Sequence, residues 1–519
     1  MSHIVIVGAG IAGVPAAYAI KNHLGPNDQV TLVSDREYFN FVPSNPWIAM
    51  GWREREDIAF PIDPYLEARG IYFVAQGLTQ IHAATNQVEL ADGRQLCYDY
   101  LVLAVGSTPA YEEVEGMDPA QGYVHSVIRI EQAIEASHAY KEFIKNPGPI
   151  VIGAAPGCAI LGPTYETAFL VDADLRRRGI RERATITLVT PEPYAGHFGI
   201  GAETETRQLL ESALTDRNIT SVCNVKTTQI TPGNVHFTQY DHNGKAGAST
   251  TLPFAFAIYA PAFKGIAALS LSAGLTNTRG FVTVDEYLRS PVYPNIFAAG
   301  ICVAQPPLTA TPVPVGPPES VYSIQNQVDT VARNIIAAIK HEALISALPQ
   351  RAKWLSDLGE TGAAYLSEPQ IPLRNINRIK QGRWVHLAKV EFEQYFINKI
   401  KLKPGEHAPS LASNVGIIMR RLQSEKKSGG TGVARTGLAA RHLDIAVERD
   451  ANYELRALAK VLNVEEKSIA AALLNAALKD AKRYLDEVIL ADMERARRDL
   501  ILAELPENQP GVEFHGGGT

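Results

Sequence analysis

The chain is poor in cysteine, with four among 519 residues (Cys97, Cys158, Cys223 and Cys302). So few, without a CxxC pair or a Cys/His ligand spacing, exclude a disulfide framework and the usual zinc sites. An excess of either charge is also missing: 49 Lys and Arg stand against 55 Asp and Glu, a formal net charge of -6. That balance leaves no basic footprint for nucleic acid over the chain as a whole. No apolar run approaches the roughly 20 residues of a membrane-spanning helix. A secretory leader is not visible either, because a strand-like run starts at His3. The expected location is cytoplasmic, with peripheral contact at the inner face of the membrane left open. What remains is ordinary folded composition, 46% apolar and 20% charged. The chain is long enough for two or three domains.

The first motif follows at once. His3 to Val7 has strand length and composition and leads into Gly8-Ala9-Gly10-Ile11-Ala12-Gly13, then a helical stretch through Tyr18 and His23. Strand, glycine turn and helix is the context of a dinucleotide fingerprint. Gly8 permits the tight turn, Gly10 lets a pyrophosphate approach the backbone, and Gly13 lets helix and strand pack closely. The helix N-terminus meets the phosphate charge. A second strand, Gln29 to Val33, ends at Ser34 and Asp35, where a ribose hydroxyl is usually met by an acid.

Two later segments favour FAD over NAD in this site. Tyr98 to Gly106 (YDYLVLAVG) looks like the strand and turn that follow the first domain in two-dinucleotide-domain flavoproteins. Asn295 to Gly300 (NIFAAG) looks like their late flavin-contacting strand. The expected cofactor residues are Gly8, Gly10, Gly13, Ser34, Asp35, Pro43, Ala104, Gly106, Gly300, Ile301 and Gly316. Val105 and Ile301 stand where such motifs usually have threonine and aspartate. A second strand and turn, Pro149 to Gly157, lies where such proteins bind NAD(P)H, but Pro156 occupies the turn and the next strand ends at Thr190 without an acid. It reads as a structural Rossmann copy without a nicotinamide site.

Several further stretches carry a family resemblance: YFNFVPSNPW (38–47), GWREREDIAFPI (51–62), GPTYETA (162–168), EPYAGHFGI (192–200), PAFKG (261–265), TPVP (311–314) and GRWVHLAKVEFEQYFI (382–397). In this order they resemble the sulfide:quinone oxidoreductases over about residues 1 to 402. The resemblance implies an α/β fold of two Rossmann-like dinucleotide-binding domains, of the glutathione-reductase-like flavoprotein type, with a C-terminal mainly helical extension. It implies passage of two electrons from sulfide, through cysteine persulfides, to FAD and a quinone. The family's three cysteine positions fall near Ile128, Ile160 and Trp354, all apolar here. Its lysine at the flavin edge is replaced by Glu319. Of its two proton-handling histidines, one corresponds to His197 and the other to Gln132.

Four residues are therefore candidates for remaining chemistry: Cys158, Cys302, His197 and Glu319. Cys158 falls at the start of a helix, whose dipole can lower a thiol pKa, and Cys302 follows the NIFAAG motif. The other reading of both is a small buried apolar residue. Trp384, Phe392, Tyr395 and Phe396 keep the amphipathic, aromatic character of the family's membrane-facing stretch, and Val415 to Leu422 is amphipathic and basic.

Beyond the resemblance, residues 424–440 read as a Gly/Ser/Ala-rich linker. His442 to Arg449 alternates like a half-buried strand, a short helix runs from Asn452 to Leu462, and a long one from Glu465 to Leu505. This order resembles a ribbon-helix-helix domain, which implies a dimer. Outward Asp444 and Glu448 argue against DNA as its partner, so a homo-oligomer through this region is favoured. The expected domains are 1–112 with 255–340 (FAD-binding), 113–254 (second Rossmann-like), 341–423 (quinone and membrane side), 424–440 (linker), 441–506 (dimerisation) and 507–519 (disordered tail). The functional expectation is an FAD-binding flavoprotein with altered or reduced sulfide oxidation, its partners a quinone or sulfur compound. The alternative is a non-catalytic structural or regulatory paralogue assembled through its C-terminus.

Overall fold

The computed structural model describes residues 2–402, apart from 202–203, 348–351, 360 and 369–375, together with short stretches between 455 and 474. The amphipathic stretch 415–422, the linker, the strand at 442–449 and the tail lie outside the described residues. The chain divides into two compact units, Met1–Pro409 and Ser410–Thr519, a division earlier than the expected linker. In the second unit, 455–457, 459–460, 466–470 and 473–474 are helical, inside the two expected helices.

The first strand, His3–Val7, is an uninterrupted apolar run because both of its faces are covered. Ile4 and Ile6 enter one core with Val14, Ala16 and Ala17 of the helix Gly13–Lys21. Val5 and Val7 enter another with Val33, Leu101, Leu103 and Ile296. Each such side chain contributes about 1.5–3 kcal/mol by burial. His3–Val7 pairs in parallel with Gln29–Ser34 and Tyr100–Leu103, and the sheet is completed by Tyr72–Ala75 and Ile296–Ala298.

A second parallel sheet has Ile150–Ala154 between Ile186–Val189 and Phe256–Ala260, with Ile219–Val222 at the edge. Phe256–Ala260 corrects the expected return to the first domain at 255: its five residues are all buried in the second sheet, and the chain crosses back after it. An antiparallel sheet of Ala352–Asp357, Gly362–Glu368 and Ile376–Gly382 precedes the helix Arg383–Lys401.

That helix turns one of its aromatics, Phe396, inward; the side chain of Trp384 lies outside the described residues. Phe396 is buried and lies 6.1 Å from the ring of Phe39 and 5.4 Å from that of Phe41. Val385, Lys389, Glu393, Ile397 and Ile400 share the buried stripe, at spacings of three and four residues. The expected membrane-facing aromatics Phe392 and Tyr395 are half-buried beside it. Among the described residues no helix is long and apolar enough to cross a membrane.

The glycine turn shows why the first strand and helix need these residues. Gly8 has φ +111°, and a Cβ there would lie 2.2 Å from the Ala104 carbonyl oxygen. At Gly13 a Cβ would lie 1.7 Å from the Gly8 oxygen, so helix and strand touch backbone to backbone. Gly10 has nothing within 4 Å. Gly13→Ala is therefore expected to cost on the order of 2 kcal/mol or more. Gly10→Ala is expected to stay within about 0.5 kcal/mol of the parent. Denaturant titration of the two variants side by side checks the contrast.

Candidate functional site

Parallel strands end on one edge of their sheet, and that edge gathers the expected cofactor residues. The Gly8 N–H donates to the Val33 oxygen at 2.7 Å, joining the glycine turn to the strand that ends at Ser34. Ser34 is buried and accepts the Arg36 N–H at 3.1 Å, whereas Asp35 is exposed. Ala104 touches the turn from the third strand, and Gly106, at φ +70°, faces Ile301. Gly300 donates its N–H to Gln327 Oε1 at 2.7 Å, and Gln325 donates to the Ile11 oxygen at 2.9 Å. Both glutamines belong to the helix Val321–Lys340, which packs against Gly13–Lys21. Pro43 sits half-buried in the turn Val42–Ser44.

These residues fit a dinucleotide. Gly10 is exposed and open at the start of a helix, where a phosphate can approach N–H groups, while its neighbours Gly8 and Gly13 have no room at all. Ser107 Oγ, beside Gly106, is buried without a hydrogen-bond partner among the described residues. A bound group would supply one.

The second turn is closed by the chain itself. A Cβ at Gly153 would lie 2.1 Å from the ring of Tyr259, whose hydroxyl pairs with Thr227 at 2.9 Å. The Gly157 N–H donates to the Pro314 oxygen at 2.6 Å, and the Gly316 N–H to the Cys158 oxygen at 3.0 Å. One backbone donor of this turn, the Gly157 N–H, is thus already used by Pro314, and Gly316 is tied to the turn through the Cys158 carbonyl. Gly316, expected as a cofactor residue, packs on this second turn, its missing Cβ 2.5 Å from the Gly157 oxygen.

The two candidate thiols are free and buried in separate cores. Burial pushes Cys158 up to about 12, and the nearby Glu192 carboxyl adds to the shift. The expected lowering by a helix dipole is outweighed, since Leu161–Arg177 begins three residues later and the sulfur is fully enclosed. Cys302 is also pushed up to about 12 by burial, and its Sγ donates to the Leu103 oxygen at 3.2 Å and the Ala299 oxygen at 3.4 Å. The structure does not bring these sulfurs together as a bridge. Of the positions matching the family's cysteines, Ile160 lines one narrow cleft with Val127, Thr164 and Tyr259, and Ile128 is the neighbour of Val127. The side chain of Trp354 lies outside the described residues.

His197 is buried, with Nδ1 accepting the Gly199 N–H at 3.2 Å and Nε2 paired with Thr309 Oγ1 at 3.3 Å. Gln132 accepts from the Tyr111 hydroxyl at 3.0 Å. Glu319 directly precedes the Ser320 cap of the helix Val321–Lys340. Its carboxyl is enclosed although part of the residue is exposed, and burial pushes it up to about 7. Ser323 Oγ donates to it at 2.9 Å and Gln305 Nε2 donates to its other oxygen, both favouring the charged form.

Sequence reasoning missed a set of buried charges, all but Asp357 inside the very stretches it quoted. Glu192 is fully buried; its Oε2 accepts from the Tyr165 hydroxyl and Thr190 Oγ1, each at 2.7 Å, and burial pushes it up to about 7. Glu166 forms a buried ion pair with Lys389. Asp357 accepts from Trp47 Nε1 and His386 Nδ1, each at 2.9 Å. Arg53 and Lys389 lie on the Trp47 ring, 4.4 and 4.8 Å from its centroid, and Arg53 pairs with Glu393 at 3.1 Å. Their sequence signal was charge within otherwise apolar motifs, a pattern that costs free energy unless each charge is paired.

Residues 2–316 match the family model described as pyridine nucleotide-disulphide oxidoreductase. A sulfide-quinone reductase of Aquifex aeolicus is 35% identical over 416 residues, 80% of this chain and 94% of that protein. The mitochondrial sulfide:quinone oxidoreductase of Mus musculus is 22% identical over 315 residues, 58% of this chain and 66% of the relative. The solved structure of the sulfide:quinone oxidoreductase from Aquifex aeolicus superposes with a TM-score of 0.74 at 34% identity, covering 80% of this chain and 94% of the other. With the glycine cradle, the two parallel sheets and the matching motifs, these likenesses establish that the chain belongs to the pyridine nucleotide-disulphide oxidoreductases and, within them, to the sulfide:quinone oxidoreductase family.

Proposed function

We propose that this family member is an FAD-binding oxidoreductase whose sulfide oxidation is altered or reduced. The observation that carries the reading is the state of its sulfurs. The positions matching the family's cysteines are apolar, and Cys158 and Cys302 are buried thiols pushed up to about 12. At neutral pH only on the order of one such thiol in 10⁵ is a thiolate, the form that attacks sulfur or flavin. Bound FAD would supply a carrier for two electrons. The glycine turn would hold its pyrophosphate, Ser34 and Asp35 its ribose, and Ala104, Gly106, Gly300 and Ile301 its reactive end. His197 would hold a proton at Nε2, because Nδ1 is occupied as an acceptor. A sulfur compound as donor and a quinone, met peripherally at the cytoplasmic face of a membrane, are the partners in this reading. A nicotinamide nucleotide is not among them, since 314–316 fill the second turn.

Glu319 adds a second alteration at the place of the family's lysine. Its carboxyl loses its proton as pH rises through about 7, and the resulting negative charge opposes added electron density nearby. In stability terms a buried acid raised from its ordinary 4.5 favours the fold below that value and loses the contribution by about pH 7.

One specific observation favours a further role for the C-terminus: residues beyond Pro409 form a compact unit of their own. In the second reading the protein is a structural or regulatory paralogue that assembles through that unit.

Three outcomes are expected. The purified protein shows the visible absorption of oxidised flavin and keeps most of it under anaerobic sulfide, with a soluble quinone present or absent; bleaching within seconds would overturn the altered-chemistry reading. Glu319→Lys raises the midpoint potential of the bound flavin at pH 8 by on the order of tens of mV, measured by equilibrium dye titration. Truncation after Ser428 converts an oligomer to a monomer by light scattering, and an unchanged mass removes the assembly reading.

A further inference from the structure

The segment Glu192–Gly201 has an unusual backbone. Gly196, Phe198, Gly199 and Gly201 all have positive φ, and Phe198, at +50°, is not a glycine. A non-glycine residue in this region carries roughly 1–2 kcal/mol of strain, so it persists only where its surroundings hold it. The turn is also wedged. A Cβ at Gly196 would lie 2.8 Å from Leu210, and one at Gly199 would lie 2.6 Å from the Gly316 oxygen.

What holds Phe198 is a carboxyl group with no exposure to water. Glu192 Oε1 accepts the Phe198 N–H at 2.7 Å. The backbone of His197 also faces this carboxyl. The Tyr165 hydroxyl donates to Oε2 at 2.7 Å and accepts the Gly196 N–H at 2.9 Å, so it clamps the other side of the turn. The Tyr165 ring then packs edge-on to Phe198, with centroids 5.3 Å apart. Thr190 fixes the carboxyl in turn, donating to Oε2 at 2.7 Å. His197 sits in the middle of this clamp. With the turn in its left-handed form, the Gly199 N–H reaches Nδ1, which must then be unprotonated, and Nε2 meets Thr309.

We propose that Glu192 is a positioning residue: its buried carboxyl, with Tyr165, holds the 194–201 turn left-handed and thereby sets the tautomer and aim of His197. The inference rests on the reading of His197 as a proton-handling group, but the positioning itself is a property of the folded chain. The hydrogen bonds that the Glu192 carboxyl accepts offset the strain at Phe198, and the ring nitrogen that can give a proton is selected as Nε2. Nε2 is thereby aimed at Thr309 Oγ1.

Long-range proton-nitrogen spectra of histidine-labelled full-length protein as purified test this, with the His197 signals assigned by their loss in His197→Gln. The parent should show one tautomer, protonated at Nε2. Glu192→Gln places an amide N–H₂ or a single oxygen where two hydroxyls and one N–H donate, and the tautomer ratio should fall about tenfold. Tyr165→Phe removes the clamp on Gly196 and one of the donors to Glu192 but keeps the carboxyl, and should move the ratio the same way by less, so it decides the matter if Glu192→Gln does not fold. Thr309→Val should leave Nδ1 unprotonated. A parent ratio kept in both Glu192→Gln and Tyr165→Phe overturns the positioning role. This outcome is read whether or not sulfide bleaches the flavin, so failure of the functional reading and failure of this one are separable.

Discussion

The contact of Gly13 with the Gly8 carbonyl is the constraint on which the rest of the site depends. It lets the first helix lie directly on the first strand, which in turn places Ala104 and Val33 against the turn. Because all five strands of that sheet are parallel, their ends then open onto one edge. The helix Val321–Lys340 closes the same edge through Gln325 and Gln327, which bond the backbone of Ile11 and Gly300. A side chain at either tight glycine would push these partners apart together. No local adjustment relieves a clash between two backbones.

A second constraint is the burial of charge. Glu166, Glu192, Asp357, Lys389 and Glu393 are all buried, and each has at least one partner from another element of the chain. Asp357 joins Trp47 to His386, and Lys389 joins Glu166 on a helix from the second Rossmann-like region. Such groups gain little net stability over apolar packing, yet removal of one partner leaves an uncompensated charge in the interior. The interior therefore accepts few alternative arrangements of its elements.

The same logic separates this chain's binding machinery from its chemistry. The cradle for a dinucleotide is built from backbone and small residues, and it is intact. The candidate groups for electron or proton exchange are side chains, each set by its own surroundings: two buried thiols, an enclosed carboxyl, and one histidine held by its neighbours. Scaffold and reactivity respond to different substitutions because they use different parts of the residue.

Much of this was legible in the sequence. The first strand, turn and helix could be read because local pattern suffices: an apolar run, three glycines at fixed spacing and a helical stretch. The family's motifs could be read because each is a short contiguous string. Other features depended on residues brought together only by folding. The strand Phe256–Ala260 is an apolar run like that of the first sheet, and only its pairing with Ile150–Ala154 assigns it to the second. Cys158 sits near a helix start, yet full enclosure decides its acidity. Gly316 carries no local mark of its contact with Gly157, more than 150 positions away. Glu192 reads as an ordinary polar residue until Tyr165, Thr190 and Phe198 surround it. The sequence by itself determined the cofactor cradle and the family, because both rest on local strings. Tertiary structure decided which charges and thiols are buried and what holds His197, because burial is set largely by partners from other parts of the chain.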